Sequence, residues 1–242
     1  MQIQYFSDVH LEFGAAALDA TDADVIVAAG DIGVGTAAVD WLRASGKPTV
    51  YIAGNHEFYG GEVSAVQDAL HAACAGTNVQ FLERGVSLVE DVRFLGATLW
   101  TDFLGENAAV MESLGTQMND YVHIRQGSRP LTPADTLQFN RDTRVWLEDT
   151  LATPHDGRTV VVTHHAPLFA SWQQAPDSIF KGAYCNNLWR LVGDYRIDLW
   201  IHGHIHTRTA YRANTLQVVS NPRGYVGHQL VDGFTTKRTV TL

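Results

Sequence analysis

Five short apolar runs recur along the chain, and each is long enough for one β-strand. They lie at residues 3–6, 25–27, 49–52, 160–162 and 199–201. Each run is mostly apolar or β-branched and lacks the strict alternation of a strand with one face in water. Such runs are typical of strands that are covered on both faces. The pattern therefore predicts buried β-sheets.

Helical patterns lie between these runs. Residues 61–74 repeat apolar side chains at helical spacing, which predicts one helix. Thr132, Pro133 and Asp135 supply an N-cap, a first-turn proline and an acidic residue three positions after the cap. This combination predicts a second helix that runs to about Leu151.

The C-terminal third has a different pattern. Segments 207–212, 215–220, 226–231 and 239–242 alternate or are rich in β-branched residues, with short turns between them, which predicts antiparallel strands. Alternating strands and helices followed by a β-rich tail indicate an α/β sandwich with mixed sheets. No repeat or linker interrupts the chain, so we expect residues 1–242 to form a single domain.

Composition narrows the classes of function. Of the 242 residues, 45% are hydrophobic, and the net charge is −9. An acidic surface repels duplex nucleic acid and anionic membranes, so neither is an expected partner. Cys74 and Cys185 are too few for a disulfide scaffold or a thiolate cluster. The first residues resemble no secretory signal, and no apolar stretch reaches the length of a membrane span, so we expect a cytoplasmic protein.

A side chain that can bind a metal follows each of the five apolar runs. In chain order these side chains are Asp8 and His10, Asp31, Asn55 and His56, His164, and His204 and His206. Because ligands of open α/β sheets bind beyond the carboxyl ends of the strands, we expect these groups to converge on one place.

The donor types indicate the kind of metal site. Carboxylate, amide and imidazole donors without sulfur suit Mn, Fe, Zn, Co or Ni, and are too rich in nitrogen for a Ca²⁺ or Mg²⁺ cage. Without His56, the side chains named above supply seven donors, which are also too many for one tetrahedral ion with an open position. They fit two ions about 3.5–4 Å apart that share a carboxylate.

These residues fall into five short motifs. The motifs are Asp8-x-His10, Gly30-Asp31, Gly54-Asn55-His56-Glu57, His164, and Gly203-His204-x-His206. Each motif alone is weak, but all five in this order over residues 8–206 resemble the calcineurin-like metallophosphoesterases. The resemblance implies an α/β fold that is a four-layer α-β-β-α sandwich, in which two mixed β-sheets are flanked by helices.

The resemblance also implies a role for each residue of the motifs. The ligands of a first metal ion would be Asp8, His10 and His206. The ligands of a second ion would be Asn55, His164 and His204. Asp31 would bridge the two ions, and His56 would lie beside the substrate phosphate. The cofactor would be two divalent or mixed-valence ions of Mn, Fe or Zn.

The implied activity is hydrolysis of a small soluble phosphate ester by in-line attack of a hydroxide that bridges the two metals. His56 would assist the leaving group, and Asn55 and Asp31 would be the other catalytic residues. The sequence leaves open a monoester or a diester such as a cyclic nucleotide. A nuclease that acts on single strands and a non-catalytic metal-binding scaffold of the same fold are further alternatives.

Four residues near the motifs have open roles. Besides Asn55 and His56, we expect His165 and Arg223 to contact the substrate, although buried packing and a surface turn are the respective alternatives. His202 is interpreted as either support for the site or plain packing, and Asp102 as a residue that faces the site.

Two long segments without clear strand character are expected to carry specificity. They are residues 103–131 and 168–185, and both contain aromatic side chains and a cation, Arg125 or Lys181. The aspartate that usually orients the His56 equivalent is not evident after Gly30-Asp31. Glu57 is the predicted substitute.

Overall fold

Two large sheets form the centre of the protein, in a computed structural model that describes all 242 residues. The strands of the first sheet are β1 (Gln2–Phe6), β2 (Val25–Ala29), β3 (Thr49–Ile52), β4 (Val79–Phe81) and β15 (Thr239–Thr241). Strands β1 to β4 run parallel in chain order, and β15 pairs antiparallel with β1 at the edge.

The second sheet has the order β11-β12-β10-β9-β6-β5. Its strands are β5 (Gly85–Val89), β6 (Val92–Ala97), β9 (Thr159–Thr163), β10 (Leu199–His202), β11 (Ala210–Ala213) and β12 (Leu216–Ser220). The four central strands are parallel, and the two edge strands are antiparallel to their neighbours. Two small hairpins complete the strands, namely β7 (Arg125–Gln126) with β8 (Arg129–Pro130) and β13 (Gly224–Tyr225) with β14 (Gln229–Leu230).

The inner faces of the sheets pack against each other. Val27 and Val50 of the first sheet share one apolar cluster with Phe94, Val160 and Ile201 of the second. Neighbouring residues of the same strands point outward, because side chains alternate across a strand. The long apolar runs of the sequence are thus strands with both faces buried.

Helices cover the two outer faces. Those on the first sheet are α1 (Ala37–Arg43) and α2 (Val63–Cys74), and those on the second are α6 (Pro133–Ala152) and α8 (Trp189–Asp194). Shorter helices are α3 (Phe103–Glu106), α4 (Ala108–Gln117), α5 (Asp120–His123) and α7 (Lys181–Tyr184). The layers are therefore helix, sheet, sheet and helix, which confirms the predicted four-layer sandwich. No helix is both long and apolar enough to cross a bilayer.

The local predictions hold for the helices and need one correction in the C-terminal third. Both predicted helices form, and Thr132 and Asp135 make a complete capping box at the start of α6. Strand β12 is antiparallel to β11, but it pairs in parallel with β10. The prediction of antiparallel pairing alone is wrong there, because β12 is also inserted beside a buried parallel strand.

His202 ends β10 and is fully buried. Its Nε2 lies 2.9 Å from the Ser171 hydroxyl and 3.3 Å from that of Thr209, and its Nδ1 lies 3.0 Å from the Gly203 carbonyl oxygen. These partners fit a neutral ring that packs within the sheet. Burial lowers the pKa of His202 to about 4, from an ordinary value of 6.5.

This shift makes stability depend on pH. Because the pKa is lower in the folded state, the contribution of His202 is present above pH 6.5 and declines as the pH falls toward 4. At pH 5 the loss is about 2 kcal/mol. Urea unfolding at pH 7.5 and pH 5 measures this effect. We expect the free energy of unfolding to fall between the two pH values by about 2 kcal/mol less in His202→Gln than in wild type. The exposed variant His228→Gln is the control, and an unchanged pH dependence in His202→Gln would contradict the assignment.

Gly30, directly after β2, allows a close approach of three loops. Its φ is +83°, and a Cβ at this position would lie 2.5 Å from His164 Nδ1 and 2.6 Å from the Gly54 nitrogen. A left-handed backbone costs a residue other than glycine about 1–2 kcal/mol. Overpacking costs about 1–3 kcal/mol more. We therefore expect Gly30→Ala to lower the free energy of unfolding by about 2–5 kcal/mol in urea. Gly193→Ala, which meets no atom within 4 Å, is expected to be neutral or slightly stabilising; equal stability of the two variants would refute the close approach.

Candidate metal centre

The carboxyl ends of β1, β2, β3, β9 and β10 meet at one edge of the two sheets. Side chains that follow these ends contact one another across the gap between the sheets. His164 Nε2 lies 3.2 Å from Asn55 Oδ1, and His10 Nε2 lies 3.3 Å from His206 Nε2. Asp31 Oδ2 lies between the pairs, 3.3 Å from His164 Nε2 and 3.7 Å from His10 Nε2.

The ligand atoms form three groups with separations suited to metal binding, and two of these groups share no residue. Within each group all ligand atoms lie within 4.8 Å of one another. The two separate groups are Asp8, His10 and His206, and Asp31, His164 and His204; the third, His10 with Asp31 and His56, overlaps both. All of these residues are buried except His206, which is partly exposed. Positions that are far apart in the sequence thus come together as two adjacent donor sets.

Backbone hydrogen bonds fix the orientation of these side chains. The amide of His204 donates to both oxygens of Asp8, at 3.0 and 3.1 Å, and the amide of His56 donates to Asp31 Oδ1 at 2.8 Å. His164 Nδ1 lies 2.9 Å from the carbonyl oxygen of Ala29, which fixes a hydrogen on Nδ1 and leaves the Nε2 lone pair directed into the site.

A metal ion fits the donor group that contains His204. Nε2 of His204 is buried and makes no hydrogen bond, and a buried polar atom without a partner costs about 1–3 kcal/mol. His204 belongs to the group with Asp31 and His164, whose donors are nitrogen and oxygen. A divalent cation bound to this group would give the His204 ring a partner and compensate the adjacent carboxylate, so the residues present fit a metal.

Charges within the cluster explain the pKa shifts. Burial would raise the pKa of Asp31, but the positive charges of His164 and His56 hold it well below its usual value. Burial would lower the pKa of His164, and the charge of Asp31 instead raises it to about 10. Burial and neighbouring histidines hold the pKa of His204 well below 6.5. The charges of the buried carboxylates and imidazoles thus act on one another, and a metal ion bound here would require an unprotonated Nε2 on His164.

Because alternate residues of a strand share a face, the sequence predicts a strand that continues past His202 with His204 and His206 on one face. Strand β10 ends at His202, and His204 has a left-handed φ of 64°. A continued strand with His204 and His206 on one face is therefore wrong. The turn sends the His204 ring toward His164, 4.9 Å away between centroids, and the His206 ring toward His10, 5.3 Å away.

His56 sits at the mouth of the site with partners on both nitrogens. Nδ1 lies 3.0 Å from Glu12 Oε1, Nε2 lies 3.3 Å from the hydroxyl of Tyr225, and the ring stacks on Tyr59 at 4.2 Å. Burial alone would lower the pKa of His56, but the charges of Asp31 and Glu12 raise it to about 9. His56 also lies within 4.8 Å of ligand atoms of His10 and Asp31, so distance alone admits it as a ligand.

Glu57 does not orient His56, contrary to the sequence-based prediction. Its buried carboxylate accepts hydrogen bonds from the amides of Asp31, Ile32 and Gly54, at 2.9, 2.8 and 2.6 Å, and from the hydroxyl of Tyr51 at 2.9 Å. Glu57 therefore ties the loop after β2 to the loop after β3. The Glu12 carboxylate occupies the position beside His56.

Asp120 supports Asn55 from the segment 103–131. Its buried carboxylate accepts hydrogen bonds from the Asn55 side-chain amide at 2.8 Å and from the Tyr59 hydroxyl at 2.9 Å. This contact fixes the Asn55 amide so that Oδ1 points toward His164. Sequence reasoning missed Asp120, and also Glu12, because nothing in their local pattern separates them from solvated acidic residues.

Three further candidates lie around the site in different settings. The Arg223 guanidinium donates to the carbonyl oxygens of residues 9, 14 and 15 at 2.8–2.9 Å, so it holds the chain after β1. His165 is buried, with Nδ1 3.2 Å from the Thr98 carbonyl oxygen and its ring 4.3 Å from that of His204. Asp102 caps α3 through the amide of Gly105 and does not face the site.

A cavity of about 540 Å³ opens over the donor groups. The two segments predicted to carry specificity contribute Gln117, Met118, Asn119, His123, Trp172, Gln174, Phe180 and Tyr184 to its wall. Phe13 and Tyr225 line the opposite side. No lysine or arginine lines this cavity, and Lys181 donates to the Pro176 carbonyl oxygen instead.

Comparison with known proteins agrees with this geometry. Residues 1–208 match the calcineurin-like phosphoesterase family. Uncharacterized protein L509 of Acanthamoeba polyphaga mimivirus is 24% identical over 259 aligned positions, which cover 92% of this chain and 91% of that protein.

Two solved structures share the fold. Phosphopantetheinyl hydrolase from Mycobacterium tuberculosis has a TM-score of 0.70 at 17% identity, over 93% of this chain and 89% of that one. TT1561 of Thermus thermophilus has a TM-score of 0.58 at 12% identity, over 91% and 88%. The family match covers most of the sequence, and the chain therefore belongs to the calcineurin-like phosphoesterases and is a metal-dependent phosphoester hydrolase.

Proposed function

We propose that this protein hydrolyses a small phosphate ester at two metal ions. One ion would be held by Asp8, His10 and His206. The other would be held by Asn55, His164 and His204. Asp31 would bridge the two. The observation that carries this proposal is the close grouping of buried carboxylate and imidazole donors, in which Asp31 Oδ2 faces the imidazoles of His10 and His164 and His204 has a buried Nε2 without a partner.

The proposed chemistry divides into formation of the nucleophile at the metal ions and assistance to the leaving group by His56. Two bound cations, best matched by Mn, Fe or Zn, would lower the pKa of a bridging water toward about 7 and so supply a hydroxide for in-line attack on phosphorus. We assign His56 to the leaving oxygen and not to a metal, because Glu12 and Tyr225 already bind its two nitrogens. Its place on the cavity wall allows it to donate a proton there.

The cavity favours an ester with an apolar or planar organic group and little additional charge. Four carboxylates, those of Asp8, Glu12, Asp31 and Asp120, lie at or beside the donor groups. Two divalent cations would only balance them, and no lysine or arginine lines the wall. We infer that residues 103–131 and 168–185 select the organic group through contacts such as those of Met118, Trp172 and Phe180.

Loss of the bridging carboxylate tests the metal assignment. Asp31→Asn removes a negative charge from between the two donor groups, so we expect fewer than two metal ions per chain after loading with Mn²⁺. Turnover of p-nitrophenyl phosphate and of its bis-ester should fall by about a hundredfold or more. Metal content is measured by elemental analysis, and activity is measured with Mn²⁺ and with a chelator.

Asp102→Asn is the matched control for this substitution. Asparagine also caps helices, and Asp102 faces away from the site, so this variant should keep wild-type activity and metal content. Full metal loading and activity in Asp31→Asn would refute the proposed bridge.

Substitution of an aromatic wall residue tests the substrate class. Trp172→Ala should raise KM for an aryl phosphate ester roughly fivefold with little change in kcat, because an aromatic contact contributes about 1 kcal/mol to binding. Two phosphodiesters with the same aryl leaving group make the comparison. KM for the methyl aryl diester should change less than KM for the bis-aryl diester. Trp189→Ala is the control, because the Trp189 side chain at the start of α8 is exposed. Equal KM effects on both esters would contradict an aromatic subsite.

A further inference from the structure

One carboxylate oxygen joins a proposed metal ligand to the residue proposed to assist the leaving group. Glu12 lies in the 3-10 turn Leu11–Phe13 that follows β1. Its Oε1 is 3.0 Å from His10 Nδ1 and 3.0 Å from His56 Nδ1. The His10 and His56 rings themselves lie 4.4 Å apart and nearly perpendicular to each other.

The shared acceptor fixes a hydrogen on Nδ1 of both rings. An ionised carboxylate only accepts hydrogen bonds, so each Nδ1 that contacts it carries a hydrogen. With Nδ1 committed to Glu12, His10 directs Nε2 toward Asp31 and His206. His56 likewise directs Nε2 toward the cavity.

Other contacts hold the His56 ring in this orientation. Tyr59 stacks on it with an interplanar angle of 21°, and the Tyr225 hydroxyl lies near Nε2. No other carboxylate is within ion-pair distance of His56 Nδ1, since Glu57 binds backbone amides. The side chain of Glu12 is 22% exposed and lines the cavity.

We propose that Glu12 is a positioning residue for departure of the leaving group, because it orients His56 and links that ring to the ligand His10. This proposal rests on the proposed function. Water oxygen bonds to phosphorus as the ester P–O bond breaks, and one proton of the water passes to solvent. With hydrogens on both ring nitrogens, His56 keeps the one on Nδ1 directed to Glu12, gives the one on Nε2 to the leaving oxygen and regains one from solvent, so the net reaction is hydrolysis.

Dependence on the leaving group tests this role. p-Nitrophenolate departs without protonation, whereas phenolate departs slowly unless an acid assists it. At saturating Mn²⁺, Glu12→Gln should lower kcat at least about tenfold for phenyl phosphate and less than about threefold for p-nitrophenyl phosphate, since general acid catalysis contributes about 10²–10⁴-fold. His56→Ala should show the same selectivity with a larger effect.

A double-mutant cycle separates positioning from a general structural effect. If Glu12 acts through His56, adding Glu12→Gln to His56→Ala should change kcat for phenyl phosphate less than about twofold. Glu62→Gln, at the exposed start of α2, is the charge-matched control and should resemble wild type. Circular dichroism and metal content verify that each variant is folded and loaded.

The outcomes distinguish this proposal from the function beneath it. Equal losses for both esters, a loss that appears only at subsaturating Mn²⁺, or full additivity with His56→Ala would overturn the role of Glu12 and reduce it to support of His10. An unchanged kcat in Glu12→Gln would overturn it as well. Failure of the wild type to hydrolyse any phosphate ester with Mn²⁺ would instead refute the proposed function.

Discussion

The carboxylates of Asp8 and Asp31 join strand ends that belong to different parts of the fold. Asp8, after β1 of the first sheet, accepts hydrogen bonds from the amide of His204, after β10 of the second. Asp31, after β2, accepts one from the amide of His56, after β3. Both carboxylates are almost completely buried, and isolated buried charges cost several kcal/mol. The surrounding imidazoles and amides offset this cost, so the edge where the sheets meet is both the structural junction and the location of the candidate metal centre.

Backbone strain also occurs at this junction. Asp8, His10, Asp31 and His204 all have positive φ, between 50° and 64°. A left-handed conformation costs a residue other than glycine about 1–2 kcal/mol, and it persists where surrounding contacts over-determine it. The backbone at Gly203 lies close to the Asp8 carboxylate, since a Cβ at Gly203 would be 2.8 Å from Asp8 Oδ2. The fold therefore gives up some stability to hold the donor atoms close together, which is expected of a functional site.

Sequence patterns predicted the parts of the fold that local chemistry determines. Buried strands are continuously apolar, so the strands before Asp8, Asp31, Asn55 and His164 could be predicted from the runs alone, and the capping residues of α6 mark its start. The residues that support the site could not be found in this way. Glu12 and Asp120 resemble any solvated acidic residue until the fold brings them to His56 and Asn55, which lie 44 and 65 positions away along the chain. The turn at His204 was missed because a strand pattern contains no signal for where the strand ends.

The distribution of charge separates phosphate recognition from selection of the rest of the substrate. The chain has a net charge of −9, and the cavity wall has no lysine or arginine, so attraction of a phosphate depends on cations held at the donor groups. That attraction is nearly the same for every ester with one ionised phosphate, and it therefore cannot discriminate among them. Discrimination would then depend on the aromatic and amide side chains of residues 103–131 and 168–185, which line the cavity. Because these segments lie outside the sheets, they can change without disturbing the buried carboxylates, and the donor groups can stay fixed while the accepted ester differs.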